Sequence, residues 1–170
     1  MAEEQKKIIN IEDLFTEADE SLKEFIFRIL TDYISIEDII GDIIAINFSK
    51  QEKISEFQGI ILTRLSFHQK FQILEQILKI IYAESEKIKI SKKIDDFVKY
   101  RNMISHRKRG FSISKDGLTL YLDRYKDNKI QEEPVTETKR NEIEKLGSLC
   151  CKELTEIREE MKKKFYKNDS

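Results

Sequence analysis

Proline occurs once in this chain, at Pro134, and glycine only five times in 170 residues. A chain with so few breakers has little to stop a helix once it starts. Over most of the length, apolar residues recur at steps of three and four, the period of a helix face. Together these features restrict the fold to long amphipathic helices. Only one window, after Gly110, changes its period.

The spacing predicts a first helix over 11–34, with Leu22, Phe25, Ile29 and Tyr33 on its apolar side. Ser35, followed by Asp38, reads as the N-cap of a second helix over 36–48. That segment is apolar nearly all round (Ile36, Ile39, Ile40, Ile43, Ile44) and is expected at the centre of the fold. Gly41 within it reads either as a close helix approach or as a tolerated helix glycine. Ser49 is expected to cap a third helix over 50–65, with Ile54, Phe57, Ile60, Ile61 and Leu65 inward. Ser66 caps a fourth over 67–83, striped by Phe67, Phe71, Leu74, Ile77, Leu78 and Ile81. A fifth runs over 87–107, with Ile90, Ile94, Phe97, Arg101 and Ile104 in one stripe.

Gly110 is expected to end the helical run. Phe111–Ile113 and Leu118–Leu122 then alternate as strands do, with a turn at 115–117 and another at 126–128. A β-hairpin or short meander over about 111–133 is too small for its own core and must lean on helices. Pro134 is expected to close it. Thr136 or Thr138 starts a last helix to about Phe165, with Ile143, Leu146, Leu149, Cys150, Leu154, Ile157 and Met161 inward. The fold class is mainly α: one domain over 10–165, flexible at 1–9 and 166–170, with the β-hairpin inserted before the last helix.

The 31 basic and 32 acidic residues leave a net charge of −1, so any nucleic-acid site must be a local patch. No apolar run reaches the length of a membrane span and no leader is evident, so a cytoplasmic protein away from membranes is expected. Cys150 and Cys151 are adjacent, a poor arrangement for a structural disulfide, and read as reduced thiols. No phosphate-binding glycine loop, dinucleotide pattern or zinc spacing occurs, and no cofactor is called for.

One stretch concentrates chemistry: Tyr100-Arg101-Asn102-Met103-Ile104-Ser105-His106-Arg107-Lys108-Arg109. Arg101 follows Phe97 by four and precedes Ile104 by three, so a fixed charge stands on an apolar stripe. Burying it requires a partner. Asn102 and His106 are one turn apart and share a face, so Asn102 is suited to holding the imidazole in one tautomer. Arg101 and His106 are five apart, about 140° of helix rotation, and do not converge on one small group within one straight helix. A two-fold dimer would bring two copies of each into one cleft.

These groups suit phosphodiester cleavage in RNA without a metal. A neutral imidazole takes the proton of a ribose 2′-OH, and a guanidinium stabilises the charge that develops on phosphorus. Neighbouring cations favour the neutral His106. Arg107, Lys108, Arg109 and Lys70 are candidates to hold flanking phosphates. The plainer reading is that cations at a helix C-terminus complement its dipole and do nothing else. Lys70 reads more often as a surface lysine, His68 as a packing or surface histidine, and Tyr100 as a core or interface residue before a base-stacking one.

The pattern Arg101-Asn102-x-x-x-His106 resembles the R-x(4–6)-H signature of HEPN domains, in the form where Asn follows Arg. Leu65-Ser66-Phe67-x-x-Lys70 opening a helix is similar to many bacterial members, and the outline likeness covers about 10–165. The resemblance implies an antiparallel helical bundle and a metal-independent endoribonuclease, with Arg101 and His106 catalytic and Asn102 their polar support. It implies a homodimer with a composite active site, RNA as substrate, and a toxin–antitoxin or anti-phage defence setting with a partner protein. The hairpin is outside the family's minimal helical pattern. The family also contains non-catalytic members, so the alternative is a helical dimer that binds a nucleotide or a partner protein.

Overall fold

The computed structural model describes residues 11–82, 89–106, 109–114, 117–126 and 129–166. For 11–18, 106, 109–114, 117–119, 122–126 and 129–133 it describes the backbone alone. The chain is mainly helical, with one small antiparallel sheet.

Helix α1 runs without interruption over Ile11–Phe48. The N-cap expected at Ser35 does not divide it. Leu22, Phe25, Ile29, Ile36, Ile40, Ile43 and Ile44 are all buried, and the stripe passes Ser35 in phase. Ser in a helix costs only about 0.5 kcal/mol, far less than burying that stripe contributes. A cap residue ends a helix only where packing permits. The segment 36–48 is the most deeply buried part of α1 among the described residues, as its apolar composition predicts.

The helix expected over 50–65 is broken into a 3₁₀ turn at Gln51–Lys53, a short α2 at Ile54–Ile60 and a second 3₁₀ turn at Leu62–Arg64. Leu62 is its one buried hydrophobic residue, while Ile60 and Ile61 are exposed. With so little packing to propagate it, a short helix tightens at its ends. Ser49 does not cap it; the Ser49 hydroxyl donates to the Ala45 carbonyl at 2.8 Å and finishes α1. A Cβ on Gly41 would lie 3.6 Å from Leu62 Cδ1, an ordinary contact, so no close approach requires this glycine.

Helix α3 spans Phe67–Ile81, and Ser66 caps it as expected, in a reciprocal capping box with Gln69. Helix α4 spans Ile90–His106. It leads into a three-stranded meander: β1 Arg109–Ser114, β2 Gly117–Lys126 and β3 Lys129–Val135. Gly110 therefore lies within a strand, in register with Tyr121, instead of ending the helix. Pro134 also pairs with Tyr121, from the other side, and is part of β3. A proline is tolerated there because β3 is an edge strand. Leu120 and Val135 pair in register and are both buried, which is how so small a sheet borrows the helical core.

Helix α5 spans Glu137–Tyr166, and the Lys139 amide donates to the Thr136 hydroxyl at its start. Ile143, Gly147, Cys150, Leu154, Ile157 and Met161 are buried at alternating steps of four and three and pack along α1. Leu149, expected inward, is 40% exposed. Gly147 marks a close crossing. A Cβ there would lie 2.7 Å from Phe97 Cε2 and 2.5 Å from Asp32 Oδ2, so α1 and α4 both close on this one residue. The two cysteines are free thiols, and burial pushes Cys150 up to about 12 and Cys151 up to about 11. No helix among the described residues is long and apolar enough to cross a membrane.

Candidate functional site

Helix α4 buries Ile90, Ile94, Phe97 and Ile104, and the stripe they define runs through Arg101. Arg101 is half-buried, and its charge is met in an unusual way. Its guanidinium carbon lies 4.2 Å from the centroid of the Tyr33 ring on α1. Its Nη1 donates to Asn102 Oδ1 at 3.0 Å. Its Nε is enclosed and has no hydrogen-bond partner. Among the described residues no carboxylate pairs with Arg101.

A guanidinium over an aromatic ring gains about 0.5–2 kcal/mol. An enclosed N–H left without a partner costs about 1–3 kcal/mol. The two roughly offset each other, so Arg101 is not a residue that packing alone would select. What remains is a cation at the helix surface whose charge no described carboxylate cancels.

Tyr33 is itself well anchored. Its ring stacks on Phe67, with centroids 4.8 Å apart and planes at 30°. Phe67 in turn stacks on Phe71 at 6.1 Å. Phe67 is the first residue of α3, fixed in place by the Ser66–Gln69 capping box. One turn along α1 from Tyr33, Glu37 accepts from Lys70 Nζ at 2.7 Å. Tyr33–Phe67 and Glu37–Lys70 are thus two rungs between the same pair of helices, four apart on α1 and three apart on α3. Burial raises the Tyr33 phenol above its ordinary value, Arg101 opposes the rise and Glu37 adds to it.

The sequence-predicted residues divide accordingly. Arg101 and Asn102 are brought together. Lys70 is only 14% exposed and pairs with Glu37, with no contact to Arg101 or Asn102 among the described residues. His106 closes α4, but its side chain lies outside the described residues, as do Arg107, Lys108 and the side chain of Arg109. The expected Asn102–His106 pairing therefore also falls outside them. Tyr100 packs its ring 4.8 Å from Lys139 Nζ. His68 is exposed, with Nε2 3.0 Å from the Gln72 side-chain nitrogen. Among the described residues no group of three or more His, Cys, Asp or Glu is placed to hold a metal ion.

Tyr33 is the member of the site that sequence reasoning missed. It reads as one more residue of the α1 stripe. The available signal was the misfit on α4: an inward arginine needs a partner, and a partially polar aromatic on another stripe can serve. Comparison with family models, curated proteins and solved structures returned no match for this chain.

Proposed function

We propose that this chain is a HEPN-type endoribonuclease that cleaves RNA by attack of a ribose 2′-OH on the adjacent phosphate. The observation that carries the reading is Arg101, a guanidinium kept on an apolar helix stripe by an aromatic ring, with no carboxylate among the described residues to cancel its charge. Such a group is suited to stabilising an anionic phosphorane.

In this reading His106, as neutral imidazole, accepts the 2′-OH proton. The 2′-oxygen bonds to phosphorus, the P–O5′ bond breaks, and the departing 5′-oxygen takes up a proton. The products are a 2′,3′-cyclic phosphate and a 5′-hydroxyl. Imidazole and guanidinium supply the chemistry, so the mechanism is metal-independent. Arg107, Lys108 and Arg109 follow His106 directly and bind flanking phosphates.

The active unit is a homodimer with a composite cleft. Two arguments support this. By the helix repeat, the five-residue spacing of Arg101 and His106 on α4 amounts to about 140° of rotation. On α1, the helix that carries Tyr33, Phe27 and Ile34 are 73% and 58% exposed and lie two turns apart on one face. Large apolar side chains repeated on one face suit burial against a second copy. The setting is a toxin–antitoxin or anti-phage system, in the cytoplasm, with a partner that restrains the nuclease.

Inducible expression in bacteria tests the reading. Wild type arrests growth and fragments cellular RNA, whereas Arg101→Ala and His106→Ala do neither at equal protein level. RNA fragmentation that persists in both variants would refute it.

A further inference from the structure

The chemistry of an anion-stabilising arginine makes two demands that conflict. The guanidinium must be held in one place, and the usual device for that is a carboxylate. A carboxylate also neutralises the charge that is needed. At Arg101 the first demand is met, among the described residues, without the second being sacrificed. The ring of Tyr33 attracts the cation through its quadrupole and carries no charge to cancel it. Asn102 takes Nη1 with a neutral carbonyl oxygen. The carboxylate one turn away, Glu37, is occupied by Lys70. The ring is held in turn by Phe67, and through it by the capped start of α3.

We infer that Tyr33 is a positioning residue for Arg101, an aromatic platform that fixes the guanidinium while leaving its positive charge available to a bound phosphate. The inference rests on the ribonuclease reading above and extends the site to α1 and α3. It makes the ring, and not the hydroxyl, the essential part of Tyr33.

Two readouts on the full-length chain test it. The first is the Arg101 Nε–H signal in nitrogen-edited NMR, assigned by its loss in Arg101→Lys. Because Nε is enclosed and close to a ring, the signal is expected to exchange slowly and to be displaced upfield. The second is the split between kcat and KM for RNA cleavage. Tyr33→Leu and Tyr33→Met both remove the π face and are used together, so that a packing failure in one leaves the other. Each should return the Nε–H signal to an ordinary position and lower kcat about 10-fold, with KM within about 2-fold. Tyr33→Phe should restore both. The inference is overturned if either ring-free variant keeps the displaced signal. It is also overturned if either retains wild-type kcat in a protein whose cleavage depends on His106. A wild type that cleaves no RNA refutes the ribonuclease reading instead; the Nε–H signal, which needs no turnover, still decides whether Tyr33 fixes Arg101.

Discussion

The guanidinium of Arg101 and the ring of Tyr33 meet 4.2 Å apart, joining the end of α4 to the middle of α1. The contact explains how a fixed charge is tolerated on an otherwise apolar stripe. It also means that the site depends on the packing of three helices, because Phe67 of α3 backs the ring. Disturbances of that packing should therefore be felt at the site.

Gly147 is one close packing point. Gly147→Ala would drive a methyl group against the fully buried ring of Phe97, and should destabilise the fold by about 1–3 kcal/mol despite alanine's better helix propensity. Gly41→Ala meets only an ordinary contact with Leu62 and should be neutral or stabilising by up to about 1 kcal/mol. Urea unfolding of the two variants separates them.

Asp32 sets a pH dependence. Its Oδ2 is enclosed without a partner, and burial raises its pKa, opposed by Arg28 and assisted by Glu144. A carboxyl raised in the folded state penalises folding wherever it must ionise. The penalty is absent below the unfolded value of about 4 and grows as pH rises through the folded value. Asp32→Asn should therefore raise the melting temperature at pH 7, and the gain should shrink towards pH 4. Thermal unfolding across that range checks the sign.

Lys70 and the run after His106 should behave differently. Lys70→Met strands a half-buried Glu37 and should cost about 1–3 kcal/mol of stability, while leaving the salt dependence of RNA binding unchanged. Arg107→Ala, Lys108→Ala and Arg109→Ala should each flatten the slope of log K against log salt by about 0.7, the value for one phosphate contact on single-stranded RNA. Binding to a cleavage-resistant 2′-deoxy substrate over a salt series measures both.

What was legible in the sequence was local. Ser66 announced α3, Thr136 or Thr138 announced α5, and alternation after Gly110 announced strands, because each signal involves neighbours along the chain. Ser35 misled because a local cap preference was outweighed by a stripe extending through it. At the site, Arg101 was legible as a misfit within its own helix. Tyr33 was not, since nothing in its own helix distinguishes it; only the packing of α1 on α3 and α4 gives its ring a role. Gly147 was overlooked for the same reason.

The central claim is that Arg101 and His106 cleave RNA through the 2′-hydroxyl. The most direct measurement is end-group analysis of fragments made by purified protein in EDTA, for wild type beside His106→Ala and Arg101→Ala. The account predicts 2′,3′-cyclic phosphate and 5′-hydroxyl ends from wild type, with cleavage reduced at least about 100-fold in each variant. Cleavage at wild-type rates in both variants, or wild-type fragments carrying 3′-hydroxyl and 5′-phosphate ends, would contradict it.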